Sequence, residues 1–342
     1  MINTYTKKIL LERIKGIVAE ELQISIDDIE IGLGIYEHPF WDSLSHVSIL
    51  VRLEEEFGLY LDEALVDRVK TIEHLVDETW RCTMKVESEM IRFKSFDGLD
   101  LYGTITKPSG YVDGLILFVH GITSDRSEWG VFDKFAQELA KNGFASLRFD
   151  YRSHGESAFP SEQLTLSGIL GDIKSAWLTL SKELSHAKER SFIIGSSFGG
   201  GLAYRAATEI GGFKHAFLLA PVFDYYEDIK KSAPNCIEDI QSRKTFSYST
   251  LELGAGILNE ARSFVVVGQD PDLTATIFHG TLDDDVPISS SREMVSRHST
   301  FKLITIEGAG HVIAVPGDLD MEDEKSWDYV NKVIENTKEC IG

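Results

Sequence analysis

The residues best suited to chemistry in this chain surround a serine at position 197. The apolar run Phe192-Ile193-Ile194 leads into the pattern Gly195-x-Ser197-x-Gly199, and a helix-compatible segment follows. This spacing is typical of a sharp strand-to-helix turn, where small neighbours let strand and helix approach and the serine hydroxyl projects outward. The helix N-terminus adds a backbone N–H near any developing negative charge. The pattern therefore predicts that Ser197 is a nucleophile.

A serine nucleophile needs a histidine base and a carboxylate that orients the base. His311 follows a strand-like segment, and the glycines before it would let a loop bring the imidazole over the serine. Three further histidines lie downstream of the serine: His215, His279 and His298. Three consecutive aspartates follow another strand-like segment: Asp283, Asp284 and Asp285. Taken alone, these aspartates fit a catalytic carboxylate, a solvated loop or a weak cation site.

The composition of the 342 residues, 43% hydrophobic and 26% charged, fits one large globular domain or two smaller ones. A net charge of −21 argues against nucleic-acid or anionic-membrane partners, because both need basic patches. The three cysteines lie far apart, which favours a reducing compartment over a disulfide framework or a metal site. The sequence has no signal-peptide pattern and no membrane-spanning run, so we expect a cytoplasmic protein.

Residues 1 to about 80 read as a small helical bundle without strands. Apolar residues at helical spacing predict a first helix from Leu10 to Leu22, a second after the N-cap candidate Asp42, and a third beginning near Thr71. The segment is also acidic, with 7 Lys and Arg against 17 Asp and Glu. Part of that charge forms the patch Glu54-Glu55-Glu56 late in the second helix.

This segment resembles acyl and peptidyl carrier proteins over roughly residues 8–80, chiefly through Asp42-Ser43-Leu44, the preceding Trp41 and the acidic second helix. The resemblance implies that Ser43 carries a covalent 4′-phosphopantetheine arm, added by a phosphopantetheinyl transferase, whose thiol holds acyl groups as thioesters. It also implies that acyl-loading or biosynthetic enzymes dock on the acidic helix through basic residues. The residues alone also fit plain helix capping, in which Asp42 and Ser43 merely open an exposed helix.

From Glu89 the pattern changes to strands. Two segments flanking Asp97-Gly98 predict a hairpin, and continuous apolar strands then alternate with helical segments. Such strands suit a mostly parallel sheet buried on both faces. The order resembles the α/β-hydrolase fold over roughly residues 90–340. We therefore expect an α/β protein with a carrier-type helix bundle at 1–80, a linker at 81–88 and an α/β-hydrolase domain with a small cap at 89–342.

The hydrolase resemblance implies a role for each downstream candidate. In this family the catalytic residues follow the chain order Ser, acid, His. The family pattern His-Gly-x-x-Asp-x-x-Val-Pro falls on residues 279–287 and identifies the acid as Asp283, with Asp284 and Asp285 as rivals. The Gly310-His311 segment resembles the family's Gly-His segment and identifies the base as His311. No metal is expected.

The same resemblance implies two backbone donors for an oxyanion hole. One is the N–H of Phe198, directly after the nucleophile, and the other is the N–H of Ile122, after Val119-His120-Gly121. Residues from about 223 to 268 interrupt the strand–helix alternation. They are expected to form a cap that shapes an acyl pocket, or else a surface excursion with its own minor core. Within the superfamily, the domain looks most like cinnamoyl- or feruloyl-type esterases and lysophospholipase-like hydrolases.

Three functions fit these two modules. The first is a carrier-linked serine hydrolase, a thioesterase or esterase, that releases an acyl group from a phosphopantetheine thioester through an acyl-enzyme. The second is an acyltransferase that moves the acyl group to an alcohol or amine. The third is a carrier module that serves a separate pathway and is fused to an independent carboxylesterase. We take the first as the expected function and keep the other two as alternatives.

Overall fold

The computed structural model describes residues 7–59, 69–83, 85–268, 272–318 and 320–341. The chain divides into two compact units, residues 1–85 and 86–342. Position 84, inside the expected linker at 81–88, lies outside the described residues. None of the helices within the described ranges is long and apolar enough to cross a bilayer.

The first unit is a bundle of helices around one core. The described helices are α1 (Lys7–Leu22), α2 (Ser43–Phe57) and α3 (Ile72–Thr83), with a 3-10 turn at Ile26–Asp28. The Asp42 carboxylate accepts hydrogen bonds from the backbone of Leu44 and Ser45 and so caps α2, as its position predicts. Gly58, in left-handed backbone at φ 63°, ends that helix.

Apolar side chains from all three helices meet around Trp41, which is fully buried just before α2. The Trp41 indole N–H donates to His46 Nδ1 at 3.2 Å, so its polar atom is satisfied inside the core. Together these contacts place Asp42 and Ser43 at the rim of the bundle, directly after a rigid anchor.

The second unit is built on an eight-stranded sheet. Its strands are β1 (Val86–Lys94), β2 (Asp100–Pro108), β3 (Gly114–Val119), β4 (Phe144–Asp150), β5 (Ser191–Ser196), β6 (Phe213–Leu219), β9 (Ala275–Gly280) and β10 (Phe301–Ile306). The spatial order is β1-β2-β4-β3-β5-β6-β9-β10. Only β2 runs against its neighbours, β1 and β4, and the remaining pairs are parallel. This topology confirms the α/β-hydrolase fold expected from the sequence.

Helices cover both faces of this sheet. They are α4 (Val131–Lys141), α5 (Leu166–Glu183), α6 (Ser197–Ile210), α10 (Ile288–Arg297) and α11 (Glu324–Ile341). One apolar core lies on each side, and every residue of β3, β4, β5 and β9 is buried. Because β3, β5, β9 and β10 are parallel, their carboxyl ends share one edge, where the loops that follow them converge.

Between β6 and β9 the chain leaves the sheet. The excursion contains α7 (Tyr225–Ser232), α8 (Cys236–Arg243), the hairpin β7 (Thr245–Tyr248) and β8 (Leu251–Gly254), and α9 (Ala255–Ala261). Its buried residues belong to the same apolar cluster as the helices on that face of the sheet. The segment therefore packs as part of the hydrolase unit.

Replacing Trp41 with Ala should destabilise the first unit by about 3 to 5 kcal/mol, because it empties the centre of a small core. Amide hydrogen exchange followed by mass spectrometry should show lost protection within residues 7–59 while the sheet of the second unit stays protected. Leu44→Ala is the matched control, since the Leu44 side chain is 80% exposed. Equal protection of residues 7–59 in Trp41→Ala and parent would contradict this account of the core.

Candidate active site

The candidate nucleophile lies at the junction of β5 and α6. Ser197 is the first residue of α6, and its φ of 50° puts it in the left-handed region that residues with a Cβ rarely adopt. Such backbone costs about 1 to 3 kcal/mol and persists only where the surrounding structure enforces it. The turn directs the Ser197 hydroxyl away from the sheet.

Two glycines make this turn possible. A Cβ on Gly199 would lie 2.0 Å from the His120 carbonyl oxygen, and one on Gly195 would lie 2.6 Å from the Cβ of Ala203. Either distance is far below van der Waals contact, so strand and helix need glycine at both positions. The sequence pattern around Ser197 thus has the structural cause that was expected.

The structure brings Ser197, His311 and Asp283 together. His311 Nε2 lies 2.8 Å from Ser197 Oγ, and His311 Nδ1 lies 2.8 Å from Asp283 Oδ2. Asp283 is in the loop after β9, and His311 begins a short 3-10 turn after β10. A histidine so held has a donor on Nδ1 facing the carboxylate and an acceptor on Nε2 facing the hydroxyl. This arrangement can remove the proton from Ser197.

Of the three consecutive aspartates, only Asp283 contacts His311. Its other oxygen, Oδ1, accepts from the backbone N–H groups of Val286 at 2.8 Å and Asp285 at 3.0 Å. Asp284 and Asp285 are exposed, and their carbonyl oxygens accept from Lys231. The loop therefore buries the carboxylate of Asp283 and leaves those of Asp284 and Asp285 exposed to solvent.

His279 was not assigned a role from sequence, yet it lies directly beneath this carboxylate. It is fully buried, and its Nε2 is 2.8 Å from the Val286 carbonyl and 3.2 Å from Asp283 Oδ2. The carbonyl can only accept, so Nε2 carries the proton, and Nδ1 accepts from Ser291 Oγ at 2.8 Å. The His-Gly-x-x-Asp spacing was the available signal for this contact. The other two downstream histidines lie elsewhere, His215 beside Thr274 and Thr276 and His298 at the end of α10.

Charge in the site is set by these contacts. Burial alone would raise the pKa of Asp283, but hydrogen bonds from His279 and His311 outweigh it, and the pKa lies well below its usual range. Burial would lower the pKa of His311, but its hydrogen bond and charge interaction with Asp283 outweigh burial and raise it. Asp283 is thus ionised at neutral pH, and the imidazolium that would form during reaction is favoured.

The loop after β3 holds the second expected oxyanion donor beside the nucleophile. Gly121 packs so closely that a Cβ there would lie 3.3 Å from the Cβ of Ser197. His120 Nδ1 donates to the Gly121 carbonyl at 2.7 Å and thereby fixes the peptide that carries the Ile122 N–H. The His120 ring is buried and stacks on Tyr151 at a centroid distance of 4.0 Å. Burial keeps the pKa of His120 well below its ordinary value, so the ring is neutral.

The other expected donor is the backbone N–H of Phe198 in the first turn of α6, where a helix has no acceptor of its own for its N–H groups. The Phe198 carbonyl accepts from Tyr225 Oη at 2.6 Å, and the two rings meet edge to face at 4.6 Å. Tyr248 donates to Asp228 at 2.8 Å nearby. The excursion after β6 therefore packs on the turn that carries Ser197.

The candidate modification site in the first unit is simple and accessible. Ser43 is the exposed first residue of α2, and its Oγ hydrogen-bonds Tyr36 Oη. Hydrogen bonds from Ser45, mainly, and from Leu44 lower the pKa of the capping Asp42 carboxyl. An exposed hydroxyl at a helix N-terminus fits a bulky phosphodiester, because the site is open to solvent and the helix end favours an anion.

The exposed surface next to Ser43 is apolar. Leu44 is 80% exposed, and Val47 and Val51 continue the same face of α2. The acidic patch at 54–56 begins eleven residues later, about 16 Å along the helix axis. Within it, Glu56 forms an ion pair with Arg13. The three consecutive glutamates of α2 thus lie toward its far end, away from Ser43.

Comparison with known proteins agrees with both units. A family model described as the phosphopantetheine attachment site matches residues 12–78. Over 68 residues the chain is 31% identical to the acyl carrier protein of Thermosynechococcus vestitus. This match covers 20% of this chain and 84% of that protein. A second family model, described as serine aminopeptidase, S33, matches residues 110–249.

Among solved structures, Est1E from Butyrivibrio proteoclasticus matches with a TM-score of 0.59 at 21% identity, covering 73% of this chain and 98% of that one. An esterase from Pyrococcus furiosus matches with a TM-score of 0.55 at 18% identity, covering 75% of this chain and 92% of the esterase. At these identities the likeness establishes the fold.

Fold, family models and relatives together define a carrier domain joined to a serine hydrolase of the α/β-hydrolase fold. Through its N-terminal unit, the chain belongs to the acyl carrier protein family. Within the described ranges, no group of three or more His, Cys, Asp or Glu side chains is arranged to hold a metal ion.

Replacing Asp283 with Asn should lower kcat by about a thousandfold or more, because the amide can hold His311 in the wrong tautomer and cannot stabilise the imidazolium. The matched control is Asp284→Asn, whose side chain does not touch His311 and which should lower kcat less than about tenfold. Steady-state hydrolysis of p-nitrophenyl butyrate measures both. Equal losses in the two variants would contradict the choice of Asp283.

Activity should fall on the acid side with a midpoint above pH 6.5, the ordinary pKa of histidine. His311 must be neutral to accept the Ser197 proton, and its raised pKa means that protonation already occurs above that value. The pH dependence of kcat/KM, which reports the free enzyme, is the measurement. A midpoint below 6.5 would show that Asp283 does not favour the imidazolium.

Proposed function

We propose that this chain is a carrier-linked acyl hydrolase, a thioesterase or esterase that releases an acyl group through an acyl-enzyme on Ser197. The observation that carries the proposal is the hydrogen-bonded chain Ser197–His311–Asp283 in the same polypeptide as a carrier domain with an exposed Ser43. Neither feature alone indicates a carrier-bound substrate, but together they do.

The first half of the reaction follows from the geometry. His311 Nε2 takes the proton of the Ser197 hydroxyl while Oγ forms a bond to the acyl carbonyl carbon. The carbonyl oxygen becomes an oxyanion, which the backbone N–H groups of Ile122 and Phe198 stabilise. Asp283 stays ionised and stabilises the imidazolium.

In the rest of the reaction, His311 carries two different protons, one to the leaving atom and one from water to Ser197. The bond from carbon to the leaving sulfur or oxygen breaks as His311 Nε2 gives its proton to that atom, leaving the acyl ester on Ser197. Water then attacks this ester, and His311 removes a proton from the water. When the intermediate collapses, the bond from carbon to Ser197 Oγ breaks, His311 gives the water-derived proton to that oxygen and the carboxylic acid is released.

Ser43 is the proposed attachment point in the carrier domain. When attached there, a phosphopantetheine arm supplies a terminal thiol that holds acyl groups as thioesters. Asp42 fixes the first turn of α2, and Tyr36 orients the Ser43 hydroxyl that a phosphopantetheinyl transferase would modify. The apolar face of Leu44, Val47 and Val51 offers partner enzymes a contact surface beside the serine.

The solved relatives support an acyl substrate without naming it. One is described as an esterase, and Est1E has also been solved with ferulic acid bound. The excursion after β6 lies against Phe198, in the position where a cap would shape an acyl pocket. We infer from this position that the excursion sets acyl selectivity.

The test is to load the full chain with butyryl-CoA and a phosphopantetheinyl transferase, then follow intact mass. The parent should lose the butyryl group with time, whereas Ser197→Ala should keep it, since the alanine variant has no nucleophile. Ser43→Ala should acquire no butyryl-phosphopantetheine arm, yet it should hydrolyse free p-nitrophenyl butyrate at a rate close to that of the parent.

Ser185→Ala, which changes an exposed serine outside the site, is the matched control and should behave like the parent. Release of the butyryl group by Ser197→Ala at the parental rate would refute the proposed function. Release of free butyrate indicates hydrolysis, and a new ester or amide in the presence of an added alcohol or amine would indicate transfer instead.

A further inference from the structure

A buried glutamate lies beside the site and has no role in the mechanism so far. Glu128 is 1% exposed, in the segment that connects the loop after β3 with α4. Carboxylates are almost never fully buried unless they are paired or hydrogen-bonded for a reason. No sequence pattern distinguished Glu128 from the other charged residues of this loop.

Its contacts point at the oxyanion loop. The Glu128 Oε2 atom accepts from the backbone N–H of Gly121 at 2.9 Å. Gly121 itself lies between the glutamate and the nucleophile, since a Cβ there would be 3.2 Å from Glu128 Oε1 and 3.3 Å from Ser197 Cβ. The same residue supplies the carbonyl that His120 holds. Glu128 and His120 therefore fix the two sides of Gly121, and with them the peptide that presents the Ile122 N–H.

The backbone is strained to put the carboxylate there. Three consecutive residues, Glu128, Trp129 and Gly130, have φ of 47°, 54° and 84°. Left-handed backbone is unfavourable for the first two, which carry a Cβ, and runs of it are rare. The run turns Glu128 inward while Trp129, next in sequence, is 39% exposed. Strain maintained so close to a nucleophile is a mark of a functional constraint.

Charge supplies a second, independent connection to the site. Burial raises the pKa of Glu128 above its ordinary value, although hydrogen bonds from Ser196, the Gly121 N–H and Ser124 act in the opposite direction. Several acidic groups interact with the His311 imidazolium and favour it: Asp283, Asp285, Asp228 and Glu128. Among these four acidic residues, Glu128 also hydrogen-bonds the oxyanion loop. It interacts electrostatically with the Tyr151 hydroxyl as well.

We propose that Glu128 is a positioning residue for catalysis: its carboxylate holds the Gly121 N–H, which orients the Ile122 oxyanion donor, and adds to the acidic groups that favour the imidazolium of His311. The proposal rests on the proposed function, because it assigns Glu128 to the reaction of Ser197. In this proposal the segment at 128–130 holds the loop after β3 in place before the substrate binds.

The test compares Glu128→Gln with Glu128→Met in the full chain. Glutamine keeps an oxygen that can accept from Gly121, whereas methionine fills the space without an acceptor. We expect Met to lower kcat for p-nitrophenyl butyrate by about 10- to 100-fold with KM changed less than about threefold, as for a lost oxyanion contact. The rate at which a fluorophosphonate labels Ser197 should fall by a similar factor, because that adduct also places an oxygen in the oxyanion hole.

Glutamine should restore kcat to within about fivefold of the parent. In the Glu128→Gln variant, the midpoint of the fall in kcat/KM at acid pH (the acid limb) should move to lower pH, since a charge that favours the His311 imidazolium is gone. A folded Met variant with parental kcat and labelling rate overturns the proposal, and so does an unshifted acid limb in the Gln variant. Ser197→Ala, assayed alongside, separates the two hypotheses: if it stays active, the proposed function fails, and if only the Glu128 variants behave like the parent, the positioning role alone fails.

Discussion

The two hydrogen bonds of the His311 imidazole are the constraint on which the hydrolase unit depends. Each is 2.8 Å long, and the three residues they join follow the carboxyl ends of three different strands, β5, β9 and β10. A displacement of 1 Å in any of these loops would cost a large factor in rate. The buried parallel sheet supplies the needed rigidity, because it is packed on both faces and brings the carboxyl ends of those strands to one edge.

The parts of this site that could be predicted from the sequence are those specified by short-range geometry. Ser197 sits in a turn whose glycines cannot carry a side chain, and that requirement is visible as spacing. Likewise, capping geometry made Asp42 recognisable as the start of α2. Asp283 needed more, because three aspartates in a row are locally equivalent, and only the spacing from His279 favoured the first. The structure gives the reason: His279 lies beneath that one carboxylate.

Other parts depend on long-range contacts and had no local signal. Glu128 is charged and sits among polar residues, so composition favours an exposed loop, yet it is buried against Gly121. The stacking of His120 on Tyr151 joins the residues that directly follow β3 and β4, and no local sequence pattern predicts it. Exposure is similarly hard to predict: the apolar residues of α2 fit a helix face, but which of them face solvent depends on how α1 and α3 pack.

The presence of both units in one chain changes which affinities matter. Under the proposed function, an acyl group held by the carrier unit is tethered to its own enzyme, and tethering raises the effective concentration of the second partner without any new contact. A carrier domain tethered in this way would need only weak docking on the hydrolase unit. An apolar Leu44–Val47–Val51 face beside Ser43, with the acidic residues confined to the end of α2, is consistent with that relaxed requirement. Under the proposed function, we therefore expect selectivity for the acyl group to depend on the excursion after β6 rather than on recognition of the carrier.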